Sequence, residues 1–247
     1  DNVDDFNKSD YPLHSISIKE WDGFIFVCLS DKPESFEIFY KPLNNKFNEW
    51  KLSKLKTIEQ KNYTIKANWK LVIQNYNECY HCPTVHPELA KIHHFTNGEN
   101  DLYEGPFLGG FMTLNENKKS ITKSGKLSSK PIPGVTKTNL KRVYYYSLFP
   151  NMLISLHPDY VMYHTILPLS PSECKVTCSW LFFQENDDNH NYSDAIKFWD
   201  KTNKQDWEIS ELSQLGIQSK KYTPGPYSSR ESLLSTFDNY YLSKLNK

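Results

Sequence analysis

No stretch of this 247-residue sequence is long and apolar enough to cross a bilayer as a helix, which takes about 18 such residues. The longest apolar run, Gly23 to Leu29, has the length of a strand. An excess of one charge is also missing, since 29 Lys and Arg face 29 Asp and Glu. Nucleic acid is therefore not expected as a partner, because phosphate binding needs a basic excess on some face. Residues 1–5 are acidic and polar and carry no leader pattern, so a cytoplasmic protein without a membrane partner is the expectation. The cysteines number five, an odd count that fits a reducing compartment better than a disulfide framework. The chain opens on Asp1 rather than Met, and a fragment or processed product is expected.

What is present is a hydrophobic content of 38% with 16 Tyr, 14 Phe and 6 Trp, enough for one substantial core and for an aromatic-lined pocket. Residues 13–29 alternate in the strand manner around a turn signal at Trp21-Asp22-Gly23, and residues 57–66 alternate again. From Asn68, a plausible N-cap, the period changes. Trp69, Val72, Ile73, Tyr76 and Tyr80 recur at helical spacing, and Pro83 and Pro87 are expected to end that helix. A hairpin is predicted from residues 160–167 and 175–184. Two late helices are predicted at 195–217, with Ile196, Trp199, Trp207, Leu212 and Leu215 near one stripe, and at 229–245. Between residues 115 and 142, seven Lys and one Arg face a single acid, Glu116, which reads as a solvated, mobile loop or as a lid or docking surface for an acidic electron carrier. The order of elements implies an α+β fold.

The densest chemistry lies at Asn75-Tyr76-Asn77-Glu78-Cys79-Tyr80-His81-Cys82-Pro83-Thr84-Val85-His86-Pro87-Glu88. One reading is a mononuclear Fe(II) site of two imidazoles and a carboxylate, with positions left open for oxygen and substrate. On a continuous helix His81 and His86 would point about 140° apart and lie about 7.5 Å apart along the axis. A turn at Pro83 would bring His86 back, and a carboxylate on a late helix would complete the set. A second reading joins Cys79, Cys82 and His86 into a zinc site, which lacks a fourth ligand. A third takes Cys79-x-x-Cys82 as a redox pair, although such pairs sit between a strand and a helix start. If neither holds, the two cysteines are small buried side chains. The other histidines, at 14, 93, 94, 157, 164 and 190, read as structural.

Asn68-Trp69-Lys70-Leu71-Val72, Asn75, Glu78 to Pro83 and His86-Pro87 together resemble the signature of the large subunits of Rieske-type non-haem iron oxygenases. Far downstream, Gln205-Asp206-Trp207-Glu208 and the segment 214–219 resemble the helix that supplies that family's third ligand, and 222–226 with Ser229, Glu231 and Phe237 resemble its C-terminal segment. The resemblance implies His81, His86 and Asp206 as ligands of Fe(II), with Asp200 a nearby decoy. It also implies Glu78 as the acidic bridge to an iron–sulfur cluster of a neighbouring subunit. A Glu at the bridge resembles members that act on quaternary ammonium compounds such as carnitine or betaines; many ring-hydroxylating members carry Asp there.

No C-x-H…C-x-x-H pattern occurs, so this chain holds no ligands for a [2Fe–2S] cluster, which is expected only in a full-length protein. Residues 1–45 are expected to be the end of that cluster domain and its linker, and 46–247 the catalytic domain. The family's fold is a helix-grip antiparallel sheet with packed helices. Asn75, Tyr76 and Trp207 are candidates for the pocket wall, with plain core packing as the alternative. Tyr144-Tyr145-Tyr146, Trp180 and Phe182 lie on strands that could also reach it. The function implied is an oxygenase that hydroxylates or N-demethylates a quaternary ammonium or aromatic compound. It would use O2 and electrons from a reductase or ferredoxin and assemble as a homotrimer. The rival from another class is a metal-free helix-grip binding module.

Overall fold

The computed structural model describes residues 5–184 and 190–245; the acidic opening at residues 1–4 lies outside the described residues. The chain divides into two compact units, residues 1–46 and 47–247. In the first, strands β1 (Ser17–Trp21) and β2 (Phe24–Cys28) pair antiparallel, with Trp21 opposite Phe24. Asp22 and Gly23 between them both take positive φ, 46° and 91°, the type I′ geometry whose twist matches that of the strands. Trp21, Phe26 and Tyr40 pack ring against ring, joined by Phe36 from the one-turn helix α1 (Phe36–Phe39).

In the second unit, β3 (Lys56–Ile65) leads to helices α2 (Trp69–Tyr76), α3 (Cys82–Val85) and α4 (Pro87–Ala90). Six strands follow: β4 (Gly98–Glu104), β5 (Phe107–Thr113), β6 (Arg142–Leu148), β7 (Met152–Leu156), β8 (Tyr160–Ser170) and β9 (Glu173–Phe182). Helices α5 (Tyr192–Ile217) and α6 (Ser232–Leu245) close the chain. The sheet runs β3-β9-β8-β7-β6-β5-β4, antiparallel throughout, so β4 to β9 form a meander and β3 pairs with the last strand. This is the α+β, helix-grip arrangement the sequence implied. One core cluster joins Tyr160, Trp180 and Phe182 of the sheet to Ala195, Phe198 and Trp199 of α5. A second joins Ile65, Ile166 and Val176 to Val72 and Ile73 of α2, Trp207 of α5 and Phe237 of α6.

The sequence placed α5, α6, the β8–β9 hairpin and the start of α2 within a few residues of their bounds, and three details differ. Helix α2 stops at Tyr76, well before the prolines. Asn68 caps it by accepting from the Lys70 N–H at 3.1 Å. Pro83 and Pro87 instead open two single-turn helices, where a missing N–H costs nothing. On α5 the buried face carries Thr202, Asn203, Ser210 and Gln214 beside its aromatics, whereas Leu212 and Leu215 are exposed, so the stripe that faces the sheet is not the most apolar one.

The basic segment is irregular but packed rather than loose. Ile121 and Ile132 are fully buried, and the buried Asp159 carboxylate accepts from Ser120 Oγ at 2.5 Å and from Ser128 N–H and Oγ at 2.6 and 2.9 Å. Its lysines, Lys118 apart, are exposed.

Candidate metal centre and its cavity

His81 ends the turn after α2 and caps α3, His86 sits at the joint between α3 and α4, and Asp206 projects from α5. The two short helices achieve what a continuous helix cannot, since they bend the chain between the imidazoles. His81 Nε2 and His86 Nε2 lie 3.2 Å apart, His86 Nε2 and Asp206 Oδ1 2.8 Å apart, and His81 Nε2 and Asp206 Oδ1 3.3 Å apart. These three side chains form the one cluster among the described residues that could hold a metal ion. Ligands about 2.1 Å from one ion stand about 3.0 Å apart at right angles and about 3.4 Å apart at the tetrahedral angle, so the triangle has the size of a shared coordination face.

The far nitrogens are set by other residues. Glu78 accepts from His81 Nδ1–H and from the Tyr80 N–H, and also from the His81 N–H at 3.2 Å. Gln205 Oε1 accepts from His86 Nδ1–H at 2.9 Å. Both rings therefore turn Nε2 toward the centre. Asn75 Nδ2 donates to Asp206 Oδ1 at 2.7 Å, orienting the carboxylate.

Burial lowers the affinity of His81 for a proton, but the carboxylates of Asp206 and Glu78 outweigh it and push the imidazole up to about 9. Burial works against the Asp206 anion, but bonding to His81 and His86 holds its carboxyl down at about 2. The cluster is an anionic pocket that favours a positive charge at its centre. Asp200, by contrast, is occupied by the Tyr63 hydroxyl at 2.7 Å and by Lys61 and Lys204 at 3.2 and 2.9 Å.

A cavity of about 320 Å³ opens on this cluster. Asn75 and Tyr76 line it, although the Tyr76 hydroxyl is tied to the Ile154 carbonyl at 2.9 Å, so its ring rather than its oxygen faces inward chemistry. Of the strand aromatics, Tyr145 reaches the cavity; Tyr144, Tyr146, Trp180 and Phe182 do not. Trp207 does not line it either. That expectation is corrected: one residue along a helix turns the side chain about 100°, and Trp207 packs into the core beside Tyr63 and His164, each with ring centroids 5.9 Å away. Gly109 and Gly110 of β5 allow the neighbouring strands to approach closely at this wall, where a Cβ would stand 2.0 Å from the Tyr145 carbonyl and 1.9 Å from the Glu99 carbonyl respectively.

Some lining residues were not singled out from the sequence. His93, read as structural, Trp199, read only as part of an apolar helix stripe, and Phe95, Glu99 and Arg230, which no linear pattern marks, all line this space. Gln205 was visible only as a neighbour in the late motif. Cys79 and Cys82, weighed as zinc ligands, as a redox pair and as small buried side chains, form a disulfide. The oxidised pair has no thiolate for zinc, and the odd cysteine count concealed one bridge and three free thiols, Cys28, Cys174 and Cys178.

Against proteins already described, the chain is 29% identical to the glycine betaine monooxygenase oxygenase subunit of Pseudomonas aeruginosa over 91% of its own length, and it spans 59% of that relative. Its fold superposes on a quaternary ammonium Rieske monooxygenase with TM-score 0.78 at 17% identity, covering 99% of this chain and 66% of the other. Naphthalene 1,2-dioxygenase from a Rhodococcus species superposes with TM-score 0.69 at 16% identity, covering 97% and 68%. Residues 52–247 match the model of the ring hydroxylating alpha subunit (catalytic domain) family, and the chain belongs to that family.

Proposed function

We propose that this chain is the iron-holding part of a monooxygenase that acts on a quaternary ammonium compound. The observation that carries the proposal is the triangle of His81 Nε2, His86 Nε2 and Asp206 Oδ1, with edges of 3.2, 2.8 and 3.3 Å. His81, His86 and Asp206 would hold Fe(II), which when bound supplies the chemistry of O2 reduction and oxygen transfer with externally supplied electrons.

The protein's own residues do the rest. Glu78 and Gln205 hold the two imidazoles in the Nδ1–H tautomer, and Asn75 holds the Asp206 carboxylate. Aromatic rings of Tyr76, Tyr145 and Trp199 line the space beside the cluster, exclude water and present π-faces suited to a methylated ammonium. The names of the glycine betaine and carnitine monooxygenase relatives support the same substrate class.

Electrons would come from a [2Fe–2S] centre, for which these 247 residues hold no C-x-H…C-x-x-H pattern, passing at Glu78 from a neighbouring subunit of a trimer, with a reductase or ferredoxin as donor. Residues 1–45 would be the end of the domain that carries that centre.

Anaerobic titration with Fe(II) or Co(II) tests the proposal. One ion per chain, lost in His86→Ala, is expected. A chain that binds no ion yet retains a small molecule is instead a helix-grip binding module.

A further inference from the structure

The cavity has an uneven charge distribution. Glu78, Glu99 and Asp206 line it, and among the described residues one Lys or Arg does so, Arg230 in the 3₁₀ turn Ser229–Glu231. The guanidinium carbon lies 5.2 Å from the centroid of the Phe95 ring. That ring is 6.5 Å from Tyr80, the neighbour of His81 in the sequence. This cation–π contact holds the guanidinium beside the ring before any ligand arrives. Among the described residues Arg230 makes no ion pair, because the adjacent Glu231 is turned back to accept from the Ser228 N–H at 2.8 Å.

A lone cation held at one wall of a cavity lined by carboxylates and aromatic rings sorts a ligand by its two ends. Aromatic faces and carboxylates attract an ammonium, and the planar fork receives a carboxylate through two parallel hydrogen bonds. We infer that Arg230 is a specificity-determining residue that anchors the carboxylate of a zwitterionic quaternary ammonium substrate, with the methylated nitrogen toward the His81–His86–Asp206 cluster. The inference rests on the quaternary ammonium proposal above and adds to it a choice between acids and alcohols. A quaternary alcohol of similar size offers Arg230 no charge.

Equilibrium binding to the full chain, measured by calorimetry with glycine betaine, γ-butyrobetaine and choline as probes, tests this in the unaltered chain and in R230Q and R230K. At least one of the two carboxylates is expected to bind about tenfold or more tightly than choline, the margin of one charge-assisted contact. R230Q erases that margin and R230K keeps part of it. Choline affinity stays within about twofold in both variants if the only loss is that contact. Arg230 is exposed, and a thermal melt unchanged by the substitutions shows that both variants fold. A carboxylate preference that survives in R230Q, or equal binding of all three probes to the unaltered chain, overturns the role of Arg230 and leaves the quaternary ammonium proposal standing. Failure of all three probes to bind the unaltered chain overturns that proposal itself.

Discussion

The molecule buries histidine in two contrasting regions. Between Glu78 and His86 each imidazole has an acceptor on both sides: Glu78 and Asp206 for His81, Gln205 and Asp206 for His86. In the turn between β7 and β8, His157 is fully buried, its ring stacked 4.0 Å from that of Tyr160, and among the described residues neither of its nitrogens has a hydrogen-bond partner. The same side chain titrates in opposite directions as a result. His81 is pushed up to about 9, whereas burial pulls His93 and His164 down to about 4 and drives His157 well below its ordinary value. Burial by itself therefore makes a neutral, aromatic-like packing group of histidine. A converging set of oxygens is what makes a centre for a cation.

Substitutions in the two regions should separate these behaviours most widely. His81→Ala, His86→Ala or Asp206→Ala is expected to weaken Co(II) binding by a hundredfold or more, since two of three donors cannot close the coordination face. His157→Gln should leave it within a few-fold, at the expense of stability. Equal loss at His157 would break the comparison. A smaller and more selective effect is expected at Glu78. A Gln there still accepts from His81 Nδ1–H, so metal content of the full-length protein should persist while turnover falls by about a hundredfold through loss of the charge. Normal coupled turnover would remove Glu78 from the path of electrons.

Much of the fold was legible because its signals are local. Asn68 before Trp69 marks a capped helix, Asp22-Gly23 a tight hairpin, and residues 160–184 a long alternating pair. The proximity of His81, His86 and Asp206 was suggested by two motifs some 120 residues apart, and no property of either segment alone reports the 2.8 Å between them. What escaped was long-range or two-state. The pairing of Cys79 with Cys82 depends on side-chain direction at a turn, which a C-x-x-C spacing leaves open. The basic segment that buries Ile121 and Ile132 is tied down by Asp159, 39 and 31 residues beyond the Ser120 and Ser128 that donate to it. Trp207 and Asp206 are neighbours in sequence and face different surroundings, because successive helical residues do not share a face.

Stability against pH tests the comparison at the histidines that burial alone controls. Unfolded imidazoles take up protons near pH 6.5, while His93 and His164 resist to about 4. Between those values the unfolded chain binds more protons, so stability is full above pH 6.5 and falls as pH drops toward 4, by about 3 kcal/mol for each imidazole. Asp159 opposes this. Burial, partly offset by the bonds from Ser120 and Ser128, raises its carboxyl to about 6, and it contributes stability as pH falls through that value. Two imidazoles against one carboxylate leave a net loss of about 3 kcal/mol, to which His157 adds in the same direction, to be read from urea midpoints of the metal-free chain at pH 7, 5.5 and 4.5. A flat profile would mean that the interior histidines are hydrated.

The smallest effect expected lies at Gln205, and it distinguishes arrangement from mere presence of ligands. Gln205 acts on the triangle through one hydrogen bond, its side-chain carbonyl taking the Nδ1–H of His86 at 2.9 Å. Gln205→Leu keeps the volume and removes the acceptor. The His86 ring is then free to adopt the other tautomer or to rotate, and part of its population no longer aims a lone pair at the centre. Co(II) affinity should fall by about tenfold, the lower end for loss of a hydrogen bond behind a ligand histidine. Gln205→Glu, which restores an acceptor and adds charge, should recover the affinity. If Gln205→Leu binds Co(II) as well as the unaltered chain, helix packing alone orients His86, and the two regions differ in ligand count rather than in how their imidazoles are held.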